Sequence, residues 1–368
     1  MVNIVIKKRT PLPCGEVMSV AAEDEAGKTL STGLFTLTRT AFSGGTVKTM
    51  TAGGIETPPE NRRRGNIRAM LTRMHEIGRD EGAAVALLHP FSFTYYNKFG
   101  YERVADHLIA TFPASALDFV GYDGGFVPYD ESLLPDMLKI YVEFSRGRNL
   151  LLPRYDGSHY TGGGKSAYIC YENGEPSAYV VFSGSKTYSV NTYINTKLTV
   201  HELAYVSPSA LSRVFSFLRM FEGEYETVQL CDCSLYREAD LMLRHYADTE
   251  YKLIPDIAAR VLDTEKLLDA HTYPQNDGTF TVRVEDGMDS VAGLFCVSYG
   301  KDGHEVRRLT DGDADLTVTA GALTRIIYGA PACDTRGLSY LPGVKVHKDC
   351  TDLIRAFPCV PAGVFEHF

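Results

Sequence analysis

No run in the sequence approaches the roughly 18 apolar residues of a membrane-spanning helix. The opening MVNIVIKKRTPLPC likewise lacks an apolar core long enough for a secretory signal. These absences lead us to expect a cytoplasmic chain with no membrane partner. Basic residues are in deficit, with 37 Lys and Arg against 46 Asp and Glu and a net charge of −9. That balance argues against nucleic acid as a partner bound through a basic surface. An acidic chain suits a cationic substrate, although solubility alone commonly accounts for such a charge. The eight cysteines form no dense framework, and no Cys-x-x-Cys occurs. The only close pair is Cys231-Asp-Cys233, whose thiols would share one side of an alternating strand. With no histidine at partner spacing, no metal is expected there, and reduced thiols are the default.

The chain does have enough apolar mass for more than one core. Its 368 residues, 44% of them hydrophobic, suggest two or three soluble domains. Residues 1–57 alternate in strand fashion. SVAAEDEAGKTLSTGLFTLTRTAF reads as two strands about a turn at Glu25–Lys28, and VKTMTAGGIETPP as a third strand stopped by Pro58-Pro59. A helix follows, because Ile67, Met70, Leu71, Met74 and Ile77 form one apolar stripe. AAVALLHP (83–90) is a short strand apolar on both faces, hence buried in a covered sheet. PFSFTYYNKFGYERV then gives a short helix, a break at Gly100 and another strand. A second unit repeats the rhythm, with a hairpin at Asn173-Gly174, a strand, a helix beginning at Ser207-Pro208 and a strand. From about Ile257 the texture becomes that of a small α+β domain. The chain closes on CVPAGVFEHF, an apolar end that reads either as docked for a purpose or as buried for packing alone.

PENRRRGNIRAM (59–70) is the most informative stretch. Three adjacent arginines repel one another unless something negative lies near, and they stand where a helix begins. A helix start offers unpaired N–H groups and partial positive charge. Gly65 removes the side chain that would keep a ligand from the backbone, and the arginines add charge-assisted donors. Strand, Pro-Pro, arginine-rich turn and helix therefore read as a diphosphate cradle; the bland alternative is a solvated helix start. No GxxxxGK[ST] loop is present. The nearest match, Gly162-Gly-Gly-Lys-Ser166, has His159 where the pattern needs glycine and is read as a flexible loop.

Arg62-x-x-Gly65 between a strand and a helix resembles the coenzyme A pyrophosphate motif of the GNAT acetyltransferases. TYYNKFGY (94–101) is similar to that family's Tyr-x-x-Phe-Gly-Tyr segment. Two such units, a third domain and an aromatic end together resemble the Eis (enhanced intracellular survival) group over about residues 15–368. The resemblance implies α/β and α+β architecture: two tandem GNAT-like mixed-sheet units followed by a sterol-carrier-like α+β domain. The corresponding boundaries are 1–108 for an acetyl-CoA-binding GNAT domain, 109–256 for a second, cofactor-less one, and 257–368 for the C-terminal domain. The front is shorter than the family's, which bears on the acceptor pocket. The resemblance further implies that Ile55 and Thr57 pair with the pantetheine arm. Arg62, Arg63, Arg64, Gly65 and Asn66 would cradle the pyrophosphate. Tyr96 would be the general acid, and the α-carboxylate of Phe368 the general base. Homo-oligomers, trimers or hexamers, are implied as well.

The chemistry is consistent with those roles. Acyl transfer from a thioester to an amine needs a neutral amine and a proton for the thiolate. A phenol with pKa near 10 can donate to a thiolate whose conjugate acid lies near 8.5. A chain-end carboxylate with pKa around 3.5 becomes a better base when buried. His89, at a strand end, reads either as a helper at the acceptor amine or as a satisfied structural histidine. Tyr95 and Tyr101 read as packing. The expected activity is N-acetylation of a small primary amine by acetyl-CoA, by direct attack in a ternary complex and without a metal. One alternative is a non-catalytic acyl-CoA or lipid-sensing module that keeps the cradle. Another, aminoacyl transfer from tRNA, is disfavoured by the acidic balance.

Overall fold

The computed structural model describes every residue except Met1, 118–123, 190–191, 244–245, 330–333 and His367; the side chains of 188–189, 192–195 and 246 are also outside it. The chain divides into two compact units. The first comprises residues 1–105, 149–153 and 256–368, and the second residues 106–148 and 154–255.

The first unit opens with antiparallel strands β1 (Asn3–Leu12), β2 (Gly15–Glu23), β3 (Thr29–Phe42) and β4 (Gly45–Glu56), each paired with the next. Helix α1 (Asn66–Asp80) follows and buries Met70, Leu71 and Met74. The stripe of apolar residues read from the sequence is thus the face on the core, with Ile67 and Ile77 packed at its margins. Strand β5 (Val85–Leu88) is buried at all four positions and lies parallel to β4. A strand covered on both faces has no polar side to present, which is why VALL carries no alternation. Helix α2 (Phe93–Asn97) and strand β6 (Glu102–Pro113) follow.

The second unit contains β7 (Phe126–Pro128), α3 (Leu134–Ser145), β8 (Ser166–Glu172), β9 (Glu175–Ser189), β10 (Thr192–Tyr205), α4 (Pro208–Arg219), β11 (Thr227–Leu230) and α5 (Arg237–Met242). Residues 110–113 of β6 pair antiparallel with β11, β11 runs parallel to β10, and β9, β8 and β7 continue the sheet. The β8–β9 hairpin turns at Asn173 (φ 53°) and Gly174 (φ 84°), the paired positive φ values that a tight two-residue hairpin turn requires. The strand expected to run through Cys231 and Cys233 stops at Leu230 instead. The chain turns there, with Leu235 N–H bonded to Asp232 O at 2.8 Å, so the two thiols do not share a strand face. Among the described residues, no group of three or more metal-ligating side chains is assembled, and no helix is long and apolar enough to cross a membrane.

Strand β12 (Glu250–Val261) returns to the first unit, where Ala258–Val261 pair antiparallel with β5. Then come α6 (Thr264–Asp269), β13 (Gly278–Glu285), β14 (Gly293–Gly300), β15 (Gly303–Leu309), β16 (Leu316–Thr319), α7 (Ala320–Ile327), α8 (Thr335–Leu338), β17 (Val344–Val346) and α9 (Thr351–Ala356). These strands form a five-stranded sheet in the order β15-β14-β13-β16-β17. Its buried side chains Phe280 and Phe295, with Leu323 of α7, belong to the same core as Phe42, Val85 and Val261. That shared core brings the last residues of the chain to β4 and β5.

Candidate active site

The turn before α1 presents backbone N–H groups. Pro59–Asn61 form a single 3-10 turn, Arg63 has φ 60° and Gly65, the residue before the helix, has φ 82°. The left-handed conformation at Gly65 favours glycine on backbone grounds alone, and a Cβ there would meet nothing within 4 Å. The front of the helix is therefore open. Gly65 supplies no side-chain cap, so the N–H groups of the first turn have no acceptor within the helix. Asn66, buried, braces the turn by donating from Nδ2 to Asn61 O at 3.1 Å, and Arg62 Nε donates to Thr57 O at 3.1 Å. Arg63 and Arg64 are exposed and make no ion pair among the described residues.

A cleft of about 560 Å³ lies on this turn. All seven residues assigned to cofactor binding from the sequence line it: Ile55 and Thr57 from the end of β4 and beyond, and Arg62, Arg63, Arg64, Gly65 and Asn66. The sequence reading missed Arg68, Phe91, Tyr95, Lys98 and Phe99, which also line the cleft. Arg68 lies over the Phe99 ring, 5.2 Å from its centroid. Its position in the first turn of the same helix was the available signal. A pyrophosphate flanked by an apolar arm fits this donor set: open helix N–H groups, unpaired guanidinium groups, and apolar walls beside them.

Tyr95 and Tyr96 sit side by side on α2. Tyr95 faces the cleft, whereas Tyr96 is buried at 4% exposure and packs in the core under α1. Burial, with a smaller contribution from Tyr95, pushes the Tyr96 phenol up to about 12. Its hydroxyl has no hydrogen-bond partner among the described residues, yet it is not one of the fully enclosed unpaired polar atoms. Arg260 of β12 fixes the corner that follows, donating to Phe99 O and, at 2.7 Å, to Asp286 Oδ1. Gly100, at φ 81°, leaves room for that guanidinium. Tyr101 is fully buried, its hydroxyl 2.9 Å from His75 Nε2, which is a packing role.

The end of the chain lies against β4. The parallel pairing of β4 with β5 runs from Thr49↔Val85 to Ala52↔Leu88, and the next residues, Gly53 and His89, flank Phe368. A Cβ placed on Gly53 would lie 2.3 Å from the Phe368 carboxyl carbon. The Phe368 ring stands 4.7 Å from that of His89 and packs at the margin of the shared core. His89 does not line the cleft among the described contacts. Its Nδ1 is 3.1 Å from Asp256 Oδ1, and its Nε2 is 3.2 Å from Glu366 O. The structure thus joins His89 to the tail and the seven cradle residues to one another.

With this geometry established, comparison with known proteins shows a GNAT domain match and the fold. Residues 12–104 match the family described as an acetyltransferase (GNAT) domain, the stretch that carries the cradle and the aromatic segment. The fold as a whole is mixed α/β with GNAT-like mixed sheets. It is similar to a GCN5-related N-acetyltransferase from Anabaena variabilis (TM-score 0.80, 17% identity, 95% of this chain and 89% of that one). It is similar as well to a GCN5-related N-acetyltransferase from Kribbella flavida (TM-score 0.77, 18% identity, 96% and 87%). The similarity extends over 100% of both chains to Eis1 from Mycobacterium abscessus, at TM-score 0.79 and 16% identity. Comparison with curated protein sequences finds no match.

Proposed function

We propose that this protein is an Eis-like N-acetyltransferase that moves the acetyl group of acetyl-CoA to a small primary amine by direct attack in a ternary complex. The observation that carries the reading is the cleft at the start of α1, where seven residues of cradle chemistry line one surface in a domain matching the GNAT family. Acetyl-CoA would supply the activated thioester. Arg62, Arg63, Arg64, Gly65 and Asn66 hold the pyrophosphate, chiefly through open N–H groups and unpaired positive charge. Ile55 and Thr57 hold the arm that leads inward along β4.

Phe368 acts as the base. Its carboxylate takes the proton of the acceptor amine, directly or through one water, with His89 beside it orienting the amine. The amine nitrogen bonds to the acetyl carbon as the carbon–sulfur bond breaks. Tyr96 gives its proton to the departing sulfur. A phenol held near 12 stays protonated at neutral pH and so remains a donor. The reading is tested by incubating the protein with acetyl-CoA and a panel of polyamines, aminoglycosides and lysine-like amines while following thiol release. Amine-dependent release is expected. Tight acetyl-CoA binding with no release from any amine would favour a sensing module instead.

A further inference from the structure

We infer that Gly53 is a positioning residue, whose missing side chain creates the seat for the carboxyl group of Phe368. The inference rests on the reading above, in which that carboxylate is the base. Three observations meet at this position. First, the ladder between β4 and β5 ends at Ala52↔Leu88, so Gly53 and His89 are the first residues of the gap where the two strands part. Second, the register of β3 with β4 shifts between Thr32↔Glu56 and Leu34↔Gly53, and a bulge of this kind bends a strand away from its neighbour. Third, the three heavy atoms nearest a Cβ on Gly53 all belong to Phe368: the carboxyl carbon at 2.3 Å, its oxygen at 2.5 Å and the Cα at 3.7 Å.

The glycine is not required by its own backbone. Gly53 is absent from the positive-φ residues, whereas its neighbour Gly54 has φ 54°. A strand would ordinarily gain from a side chain at such a position, since glycine weakens strand interiors. What an alanine methyl would displace here is the main chain of Phe368, which cannot rotate aside as a side-chain tip can. The tail is also held beyond the carboxyl group, by the His89 contact to Glu366 O and the ring contact between His89 and Phe368. Displacing the carboxyl group from Gly53 therefore works against contacts that fix its approach, and the smallest possible substitution is enough to unseat it.

The test is Gly53→Ala in the full chain, read by the rate at which a carboxypeptidase selective for aromatic ends releases Phe368 from the folded protein. A seated carboxyl group is shielded, so release should be at least tenfold faster in Gly53→Ala. Amine-dependent thiol release should fall at least tenfold, with acetyl-CoA affinity within about twofold of the parent. Unchanged carboxypeptidase release would overturn the seat whatever the activity does. Faster release with undiminished turnover would leave the seat standing and remove Phe368 from the chemistry. Should Gly53→Ala fold poorly, the same substitution is made in a chain ending at His367. There the melting temperature should match that of the shortened parent, because the clashing atoms are gone; an equal loss in both backgrounds would refute the seat.

Discussion

Tyr95 and Tyr96 share one turn of α2 but face different surroundings, and the register of the proposed reaction depends on which of them would donate. Tyr95 has the exposure and Tyr96 the enclosure with an unpartnered hydroxyl. Tyr96→Phe should lower turnover about a hundredfold or more while acetyl-CoA affinity, measured by calorimetry, stays near that of the parent. Loss of turnover in Tyr95→Phe with Tyr96→Phe unimpaired would shift the donor by one residue. At this scale the sequence was legible where a residue's role is local. Gly65 could be read because a glycine before a helix, among arginines, has few other uses. Gly53 could not, because its constraint comes from atoms at the other end of the chain. Arg260 was equally hidden, since only the folded β12 brings it to Phe99.

The starts of α1 and α4 differ in a way that supports the proposed phosphate site at α1 and none at α4. At α4, Ser207 accepts from Ala210 N–H through its side chain, and Pro208 has no N–H to offer. That terminus satisfies itself. At α1, Gly65 caps nothing and the arginines add charge. Ser207→Ala should cost about 1 kcal/mol of stability, seen as a lower urea midpoint, and should leave acetyl-CoA affinity unchanged. An affinity loss there would place a ligand at α4. Elements were legible where periodicity is strong, as in α1 and the Asn173-Gly174 hairpin. They were least legible at ends: YETVQLCDC reads as one strand, but the chain turns after Leu230, and composition alone carries no stop signal.

For the whole molecule, the pairing of β12 with β5 could not be read from the sequence, because many apolar strands are equally suitable partners for β5. One consequence is a defined acid sensitivity. His271 is buried, donates from Nε2 to Ala356 O at 2.7 Å and has a fully enclosed, unpaired Nδ1. Burial pulls its pKa down to about 4. The unfolded chain, with the usual value near 6.5, therefore binds a proton that the folded chain refuses. Stability should fall as pH drops from about 6.5, by about 3 kcal/mol at pH 4. His271→Gln should flatten that part of the melting-temperature profile; an unchanged slope would assign it to other groups. The measurement that bears most directly on the account is calorimetric titration of acetyl-CoA into the parent and into Gly65→Glu, with melting curves to confirm folding. The account predicts one site per chain in the parent and none in the variant, whose carboxylate would stand where the phosphates bind. Two sites in the parent, or undiminished binding to a folded Gly65→Glu, would contradict it.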